Sequence, residues 1–262
     1  MKFIKSKLIK LISLILMGSK YEIKNYSIVY FVLRILGYKY IRWDIITRMN
    51  PASLHSKKFQ KSLKASAFLD DQSFHWRPIW TRYINSHFFK KALSIKGDLI
   101  ELGTHKGNTA FTNIKYSSFE NFKYKKFYLV DSFEGLNPKV SSKEELKSYY
   151  SHYKENNLFN ETKKNFIKFK NVKIIKGFIP EILKSLPITS LSFIHIDLNS
   201  VKPEVIAFKY LWKKLNKGGI IIFDDYAQPG IHTKQKKKLD SICKKLNIEI
   251  LSLPTGNGLL IK

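Results

Sequence analysis

The sequence predicts an α/β fold: a mostly parallel seven-stranded sheet, covered by helices on both faces, with an antiparallel hairpin at its C-terminal edge. Three observations carry this. From Asp98 onward short apolar runs alternate with helical stretches, the pattern of parallel strands joined by crossover helices. Several of these runs end in carboxylates, at Glu101, Asp131, Asp197 and Asp224–Asp225. The last segment, ILSLPTGNGLLIK (Ile250 to Lys262), reads as strand, turn and strand.

Taken in order, the strands are expected at Asp98–Leu102, Lys126–Asp131, Val172–Lys176, Leu191–Asp197, Gly219–Asp224, Ile248–Leu253 and Gly258–Ile261. Helical stretches fall near 106–118, 143–169, 179–185, 203–216 and 232–246. Lys217-Gly218-Gly219 is expected to stop the fourth of these helices and open the next strand. Upstream, FHWRPIWTRYI, starting at Phe74, reads as a helix with Pro78 in its first turn. Residues 50–75 are polar and mixed, a connector or a lid on the substrate side.

Composition sets the outer bounds. A chain of 262 residues that is 44% hydrophobic and 14% aromatic buries a real core and is not a disordered polymer. Its single cysteine, Cys243, excludes a disulfide framework and any cysteine-based zinc or iron–sulfur centre. The outlier is charge, 47 basic against 20 acidic residues for a net +27. Nucleic acid, an anionic membrane and an acidic substrate are all compatible with it, as is lysine enrichment of a whole proteome. The excess is uneven: residues 1–96 carry 19 basic and 4 acidic side chains.

That region opens with MKFIKSKLIKLISLILM, which puts Lys2, Ser6, Lys10 and Ser13 on one helical face and most of its apolar residues on the other. This is the pattern of a basic amphipathic helix in a membrane interface, or of a helix packed on the main domain. A second apolar stretch, Ser27 to Leu36, is interrupted by Arg34. Neither reaches the roughly 20 residues that span a bilayer. Met17-Gly18-Ser19-Lys20 is a poor cleavage site for a signal peptide.

The chemistry sits at the strand ends. In GDLIELGTHKGNTA (Gly97 to Ala110) an apolar strand ends in Glu101 and passes through a turn holding Gly103 and Gly107 into a helix. Glycine lets a ligand approach the backbone, and the helix N-terminus attracts an anionic group. The spacing E-x-G-x-x-x-G differs from the G-x-G-x-x-G of dinucleotide binders, and such a turn can also be purely structural. In FYLVDSFEGL (Phe127 to Leu136) the next strand ends in Asp131. A carboxylate there is placed to accept both hydroxyls of a ribose, with Ser132 and Phe133 bordering a nucleobase. The competing reading is a helix-capping aspartate.

FIHIDLN (Phe193 to Asn199) and GGIIIFDDY (Gly218 to Tyr226) bring Asp197, Asp224 and Asp225 to one sheet edge. Three carboxylates together are compensated by a hard divalent cation, and Mg²⁺ fits an all-oxygen set. The alternatives are a helix cap for Asp197 and a solvated turn for the pair. His195, inside its strand, reads as a satisfied core histidine. His75, His105 and His232 fall near site edges without any one being selected.

Together E-L-G-T-H-K-G, V-D-S-F-E-G-L, F-I-H-I-D and G-G-I-I-I-F-D-D-Y, in this order, resemble the macrocin O-methyltransferase family over about residues 90 to 262. The resemblance implies a Rossmann-like class I methyltransferase that uses S-adenosylmethionine and Mg²⁺ to methylate sugar hydroxyls. By similarity, Glu101, Gly103 and Gly107 surround the methionine part of the cofactor, with Thr104, Asn108 and Thr109 of the same turn. Asp131 holds the ribose, and Ser132 and Phe133 lie near the adenine. Asp197, Asp224 and Asp225 correspond to the metal ligands, and Asp197 takes the catalytic role. One departure stands out: where relatives carry I-D-x-D-x-Y, this chain has Ile196-Asp197-Leu198-Asn199-Ser200-Val201.

The organisation expected is therefore a helical extension over 1–90, serving as membrane-interface and substrate-lid region, and a cofactor-binding domain over 91–262. The acceptor is expected to be a small molecule or a glycan, on a cytoplasmic protein with peripheral membrane contact through residues 1–40 and homo-oligomerisation left open. A nucleic-acid methyltransferase is disfavoured, because the basic N-terminal region is apolar and helical rather than a basic face with aromatic platforms. Other acceptors, such as a catechol-like molecule, or a non-catalytic cofactor-binding protein, are the alternatives.

Overall fold

The computed structural model describes residues 32–41, 45–69, 78–149, 157–230 and 232–262. The segment 1–31, with its amphipathic pattern, lies outside the described residues, as do Phe74–Arg77 and His75. Seven strands form the main sheet: β3 (Asp98–Leu102), β4 (Phe127–Asp131), β5 (Val172–Lys176), β6 (Leu191–Ile196), β7 (Leu215–Phe223), β8 (Leu251–Ser252) and β9 (Gly258–Ile261). Their spatial order is β5-β4-β3-β6-β7-β9-β8. The first five are parallel, whereas β9 runs antiparallel to both β7 and β8. The C-terminal hairpin thus closes the sheet as expected.

The chain order reverses between β3 and β6, so the two loops leaving their carboxyl ends diverge and open a crevice there. Both faces of the sheet are apolar, and alternation sends neighbouring residues to opposite cores. Ile100, Leu102, Ile194 and Ile196 pack with α6 (Val201–Trp212) and α7 (His232–Leu246) through Phe208, Leu211 and Leu239. Leu99, Leu129 and Phe193 pack with α2 (Ile79–Ala92) and α3 (Asn108–Ser117) through Phe89, Ala110 and Ile114. Phe89 sets its ring edge against Phe119, Phe127 and Phe193 at centroid distances of 4.9–5.6 Å, a geometry that adds about 1 kcal/mol per pair beyond burial.

The structure changes four expectations. Within the stretch expected as a connector or lid, where no helix is expected, α1 (Lys57–Ser66) buries Phe59, Ser62 and Ser66 at helical spacing, and Ser66 Oγ lies 2.9 Å from Thr112 Oγ1 on α3. The lysines of its outer face hide that stripe in the composition. The stretch 143–169 is not one helix but α4 (Lys143–Tyr149) and α5 (Leu158–Phe166), since Asn157 at φ 65° opens a new one. The span 179–185 is a short 3₁₀ turn over Glu181–Ser185. Finally, the helix before β7 ends at Trp212 and the strand begins at Leu215. Gly218-Gly219 mark a bulge inside it, where pairing with β6 shifts register.

A two-residue pairing of β1 (Tyr40–Ile41) with β2 (Ile46–Thr47) precedes α1. Tyr40 joins Leu54 and Phe59 in a small aromatic cluster against Trp80, Tyr83 and Tyr116, and its hydroxyl accepts the Trp80 N–H at 3.1 Å. No helix of the described residues is long and apolar enough to cross a membrane.

Candidate active site

At the crevice the turn after β3 touches the turn after β6. Gly103, at φ 85°, lies so close to β6 that a β-carbon on it would overlap the Asp197 carbonyl. Gly107, at φ 82°, precedes α3 and is packed against the Phe166 ring. Both glycines are required by backbone conformation and by close approach. The result is a cavity of about 250 Å³ lined by Glu101, Gly103, Thr104, Asn108, Thr109, Asp131 and Ser132 on one side and by His195, Asp197 and Asn199 on the other.

Asp131 is fixed by two backbone donors: the His105 N–H reaches Oδ2 at 2.8 Å and the Phe133 N–H reaches Oδ1 at 2.6 Å. It does not cap a helix. Ser132 lines the cavity, donating to the Gly135 carbonyl at 2.6 Å. Phe133 does not line it: at φ 55° its buried ring turns onto Phe159, 5.2 Å away. The apolar wall on that side comes instead from Leu136, Phe178 and Ile179. Phe178 and Ile179 follow β5, a strand whose end carries no motif.

The three aspartates converge, each with an oxygen within 4.8 Å of the others. All are partly buried, so Asp224–Asp225 is not a solvated turn. Asp197 caps nothing either, since the first N–H of α6, at Val201, goes to Glu145 at 2.8 Å. Burial, then the charges of Asp224 and Asp225, hold Asp197 well above the usual carboxylate range. Burial, then Asp224, pushes Asp225 up to about 7. Crowded carboxylates that resist ionisation, all with oxygen donors, fit a hard divalent cation.

His195 is buried but is more than a core residue. Its Nδ1 lies 3.1 Å from Glu101 Oε2 and its Nε2 lies 3.6 Å from Asp224 Oδ1. Burial alone would lower its pKa, yet the two carboxylates outweigh it and raise the imidazole to about 10. The two carboxylates favour the protonated imidazole, which lies between Glu101 and Asp224. Its sequence signal was available: a histidine two residues before Asp197, on the strand paired with the one bearing Glu101.

Three supports lie outside the motifs, of which the sequence places only His232 near a site edge. Asn257, in the C-terminal turn, donates to the Asp224 carbonyl at 2.9 Å and to its Oδ1 at 3.0 Å. His232 Nε2 lies 3.8 Å from Asp225 Oδ2. Glu145 accepts the Ser142 and Val201 N–H groups and the Ser200 hydroxyl, at 2.6–3.1 Å. With Ser142 Oγ accepting the Glu145 N–H, it also closes a capping box at the start of α4.

A sheet of this order, with a glycine turn and acid after its first parallel strand, defines the Rossmann-like class I methyltransferases. Within that class the chain belongs to the macrocin O-methyltransferase (TylF) family, whose model matches residues 90–247. A curated relative from Streptomyces olivaceus, 8-demethyl-8-(2,3-dimethoxy-alpha-L-rhamnosyl)-tetracenomycin-C 4'-O-methyltransferase, is 24% identical over 142 residues, 51% of this chain and 54% of the relative. The chain thus spans about half the length of that relative. Among solved structures, the O-methyltransferase NovP aligns at a TM-score of 0.62 and 15% identity, covering 78% of this chain and 97% of NovP. The calicheamicin methyltransferase CalS11 aligns at 0.55 and 14%, covering 81% and 93%. At these identities the structures establish a shared fold.

Proposed function

We propose that this protein is an S-adenosylmethionine-dependent O-methyltransferase acting on a sugar hydroxyl with the help of Mg²⁺. The single observation that carries the reading is the adjoining of two sites in one crevice: a glycine turn with Glu101 and Asp131, and an aspartate cluster directly across from it. Family membership and the rhamnoside-modifying relative support a sugar acceptor.

The cavity fits the cofactor. Thr104 Oγ1 and Asn108 Oδ1 are buried in its wall with no hydrogen-bond partner among the described residues. Glu101 faces the methionine ammonium, Asp131 the ribose hydroxyls, and Phe178 and Ile179 the adenine. Asp197, Asp224 and Asp225 hold the cation. When bound, S-adenosylmethionine supplies a methyl group already activated by its sulfonium, and Mg²⁺ supplies Lewis-acid stabilisation of the acceptor oxygen.

The protein then has two tasks: aligning the acceptor oxygen with the methyl group, which supplies much of the rate, and taking the hydroxyl proton. Asp197 is the residue assigned to proton acceptance, since it borders both halves of the crevice. Asn199, in place of the second acid of the family pattern, donates to Asp197 Oδ1 at 3.1 Å and gives the acceptor side a neutral wall.

The acceptor we favour is a sugar of a surface or lipid-linked glycan, reached from the inner membrane face through residues 1–40. Fractionation of the full chain against one lacking those residues tests that placement, and equal solubility would sink it. The activity is tested with methyl-labelled S-adenosylmethionine, with Mg²⁺ or chelator, against glycosides, nucleotide-linked sugars and extracted surface glycans. Label in a sugar hydroxyl supports the reading; no cofactor binding, or label only in RNA, overturns it.

A further inference from the structure

One buried carboxylate beside the cation cluster has no part in the site as described so far. Glu204, in the first turn of α6, is 1% exposed. It turns back onto the loop that precedes its helix. Its Oε1 accepts the Leu198 N–H at 3.2 Å, and the Asn199 N–H is a second backbone donor to it. These are the two residues directly after Asp197. Asn199 is left-handed, at φ 52°, so the course of this loop depends on what holds it.

The other oxygen of Glu204 faces α7. Gln235, also 1% exposed, donates from Nε2 to Glu204 Oε2, and its Oε1 lies 3.0 Å from His232 Nδ1. His232 Nε2 in turn lies 3.8 Å from Asp225 Oδ2. A file of polar groups therefore runs from the loop behind Asp197, through α6 and α7, to Asp225. Buried groups that partner one another in this way are held to one geometry. Asp197 lies one residue past β6 and Asp225 two past β7, where the regular ladder has ended. Mutual repulsion of the aspartates pushes these turns apart, and the file ties them together from behind. The spacing of oxygen ligands is what separates the hard divalent cations. Mg²⁺ demands a near-ideal octahedron at about 2.0–2.1 Å, whereas Ca²⁺ takes a looser shell at about 2.3–2.6 Å.

We propose that Glu204 and Gln235 are positioning residues that brace the turns bearing Asp197 and Asp225, and that this brace makes the site select Mg²⁺ over Ca²⁺. The inference rests on the cation reading above. Neither side chain lines the cavity, so both act only through the turns they hold. A braced pair of turns cannot widen to the longer oxygen distances of Ca²⁺, whereas a loosened pair can. Selection by size thus comes from two helices behind the ligands, not from the ligands themselves, which are the same for either ion.

The test is calorimetric titration of the full chain with Mg²⁺ and, separately, with Ca²⁺. The wild type is expected to bind Mg²⁺ at least about tenfold more tightly. Gln235→Ala should weaken Mg²⁺ by about tenfold or more while Ca²⁺ stays within about threefold of wild type, so that the preference collapses. Glu204→Gln keeps an oxygen for the Leu198 N–H, and Gln235 can turn its carbonyl toward the new amide, so this variant should retain most of the preference. Equal wild-type affinity for the two ions overturns the proposal, and needs no variant. So does a Gln235→Ala protein that loses both ions by the same factor, the mark of a residue that merely fills the core. Binding of neither ion to the wild type would defeat the cation reading itself, a result distinct from binding without preference.

Discussion

A β-carbon placed on Gly103 would stand 1.6 Å from the carbonyl oxygen of Asp197. The glycine turn after β3 and the Asp197 turn after β6 are thus in direct main-chain contact, with no side chain between. The spacing between the glycine turn and Asp197 is set by backbone rather than by rotamers.

Gly103→Ala should therefore be far more damaging than most glycine substitutions. The collision is with backbone, which yields poorly, and φ is 85°. Overpacking and left-handed strain together predict a loss of about 2–5 kcal/mol. Urea unfolding measures it, and a change below about 1 kcal/mol would mean that the two turns stand farther apart.

Removing a cation ligand should separate the two halves of the site. Asp224→Asn is expected to lower methyl transfer by about 100-fold and weaken Mg²⁺ binding while leaving cofactor affinity within about threefold. Asn257→Ala, which frees Asp224 from the C-terminal turn, should weaken Mg²⁺ binding by about tenfold or more through orientation alone. Unchanged Mg²⁺ affinity in both would remove the cation from the mechanism.

Asp131→Ala should weaken S-adenosylmethionine by about tenfold or more, since it removes a charged acceptor and leaves the His105 and Phe133 N–H groups unpaired. The useful control is methionine-bearing affinity without ribose: binding of S-methylmethionine, however weak, should not change.

Without metal, stability should fall as pH rises. Asp197 and Asp225 have folded pKa values above their unfolded ones, Asp225 at about 7. Their contribution is complete below the ordinary carboxylate range and is lost as pH climbs through about 7. His195 behaves likewise in a higher window, complete below its ordinary value of 6.5 and lost through about 10. Melting curves from pH 4 to 8 in chelator should slope downward, and Mg²⁺ should flatten the slope by replacing protons on the aspartates. A flat metal-free profile would contradict the crowding of Asp197 and Asp225.

Much of this was legible in the chain. Strand ends are where parallel sheets collect ligands, so acids terminating apolar runs located Glu101, Asp131 and the three aspartates, and strands Asp98–Leu102, Val172–Lys176 and Gly258–Ile261 fall where the pattern placed them. What stayed hidden depends on contacts across the fold. Phe133 follows Asp131 and is expected near adenine, but its positive φ turns it into the core, and Phe178 takes the cavity wall. His195 shows in the sequence only as a histidine two residues before Asp197; the two acids beside it, Glu101 and Asp224, come from β3 and from the end of β7. Asn257 reaches Asp224 from an element distant in sequence, brought near by the hairpin.

Glu145 ties the start of α4 to the start of α6. The first follows the loop that leaves Asp131, and the second follows the loop bearing Asp197. One carboxylate thus works as a common latch for both rims. Glu145 thereby couples the spacing of two loops that are 56 residues apart in sequence, and losing its side chain would release both helix starts at once.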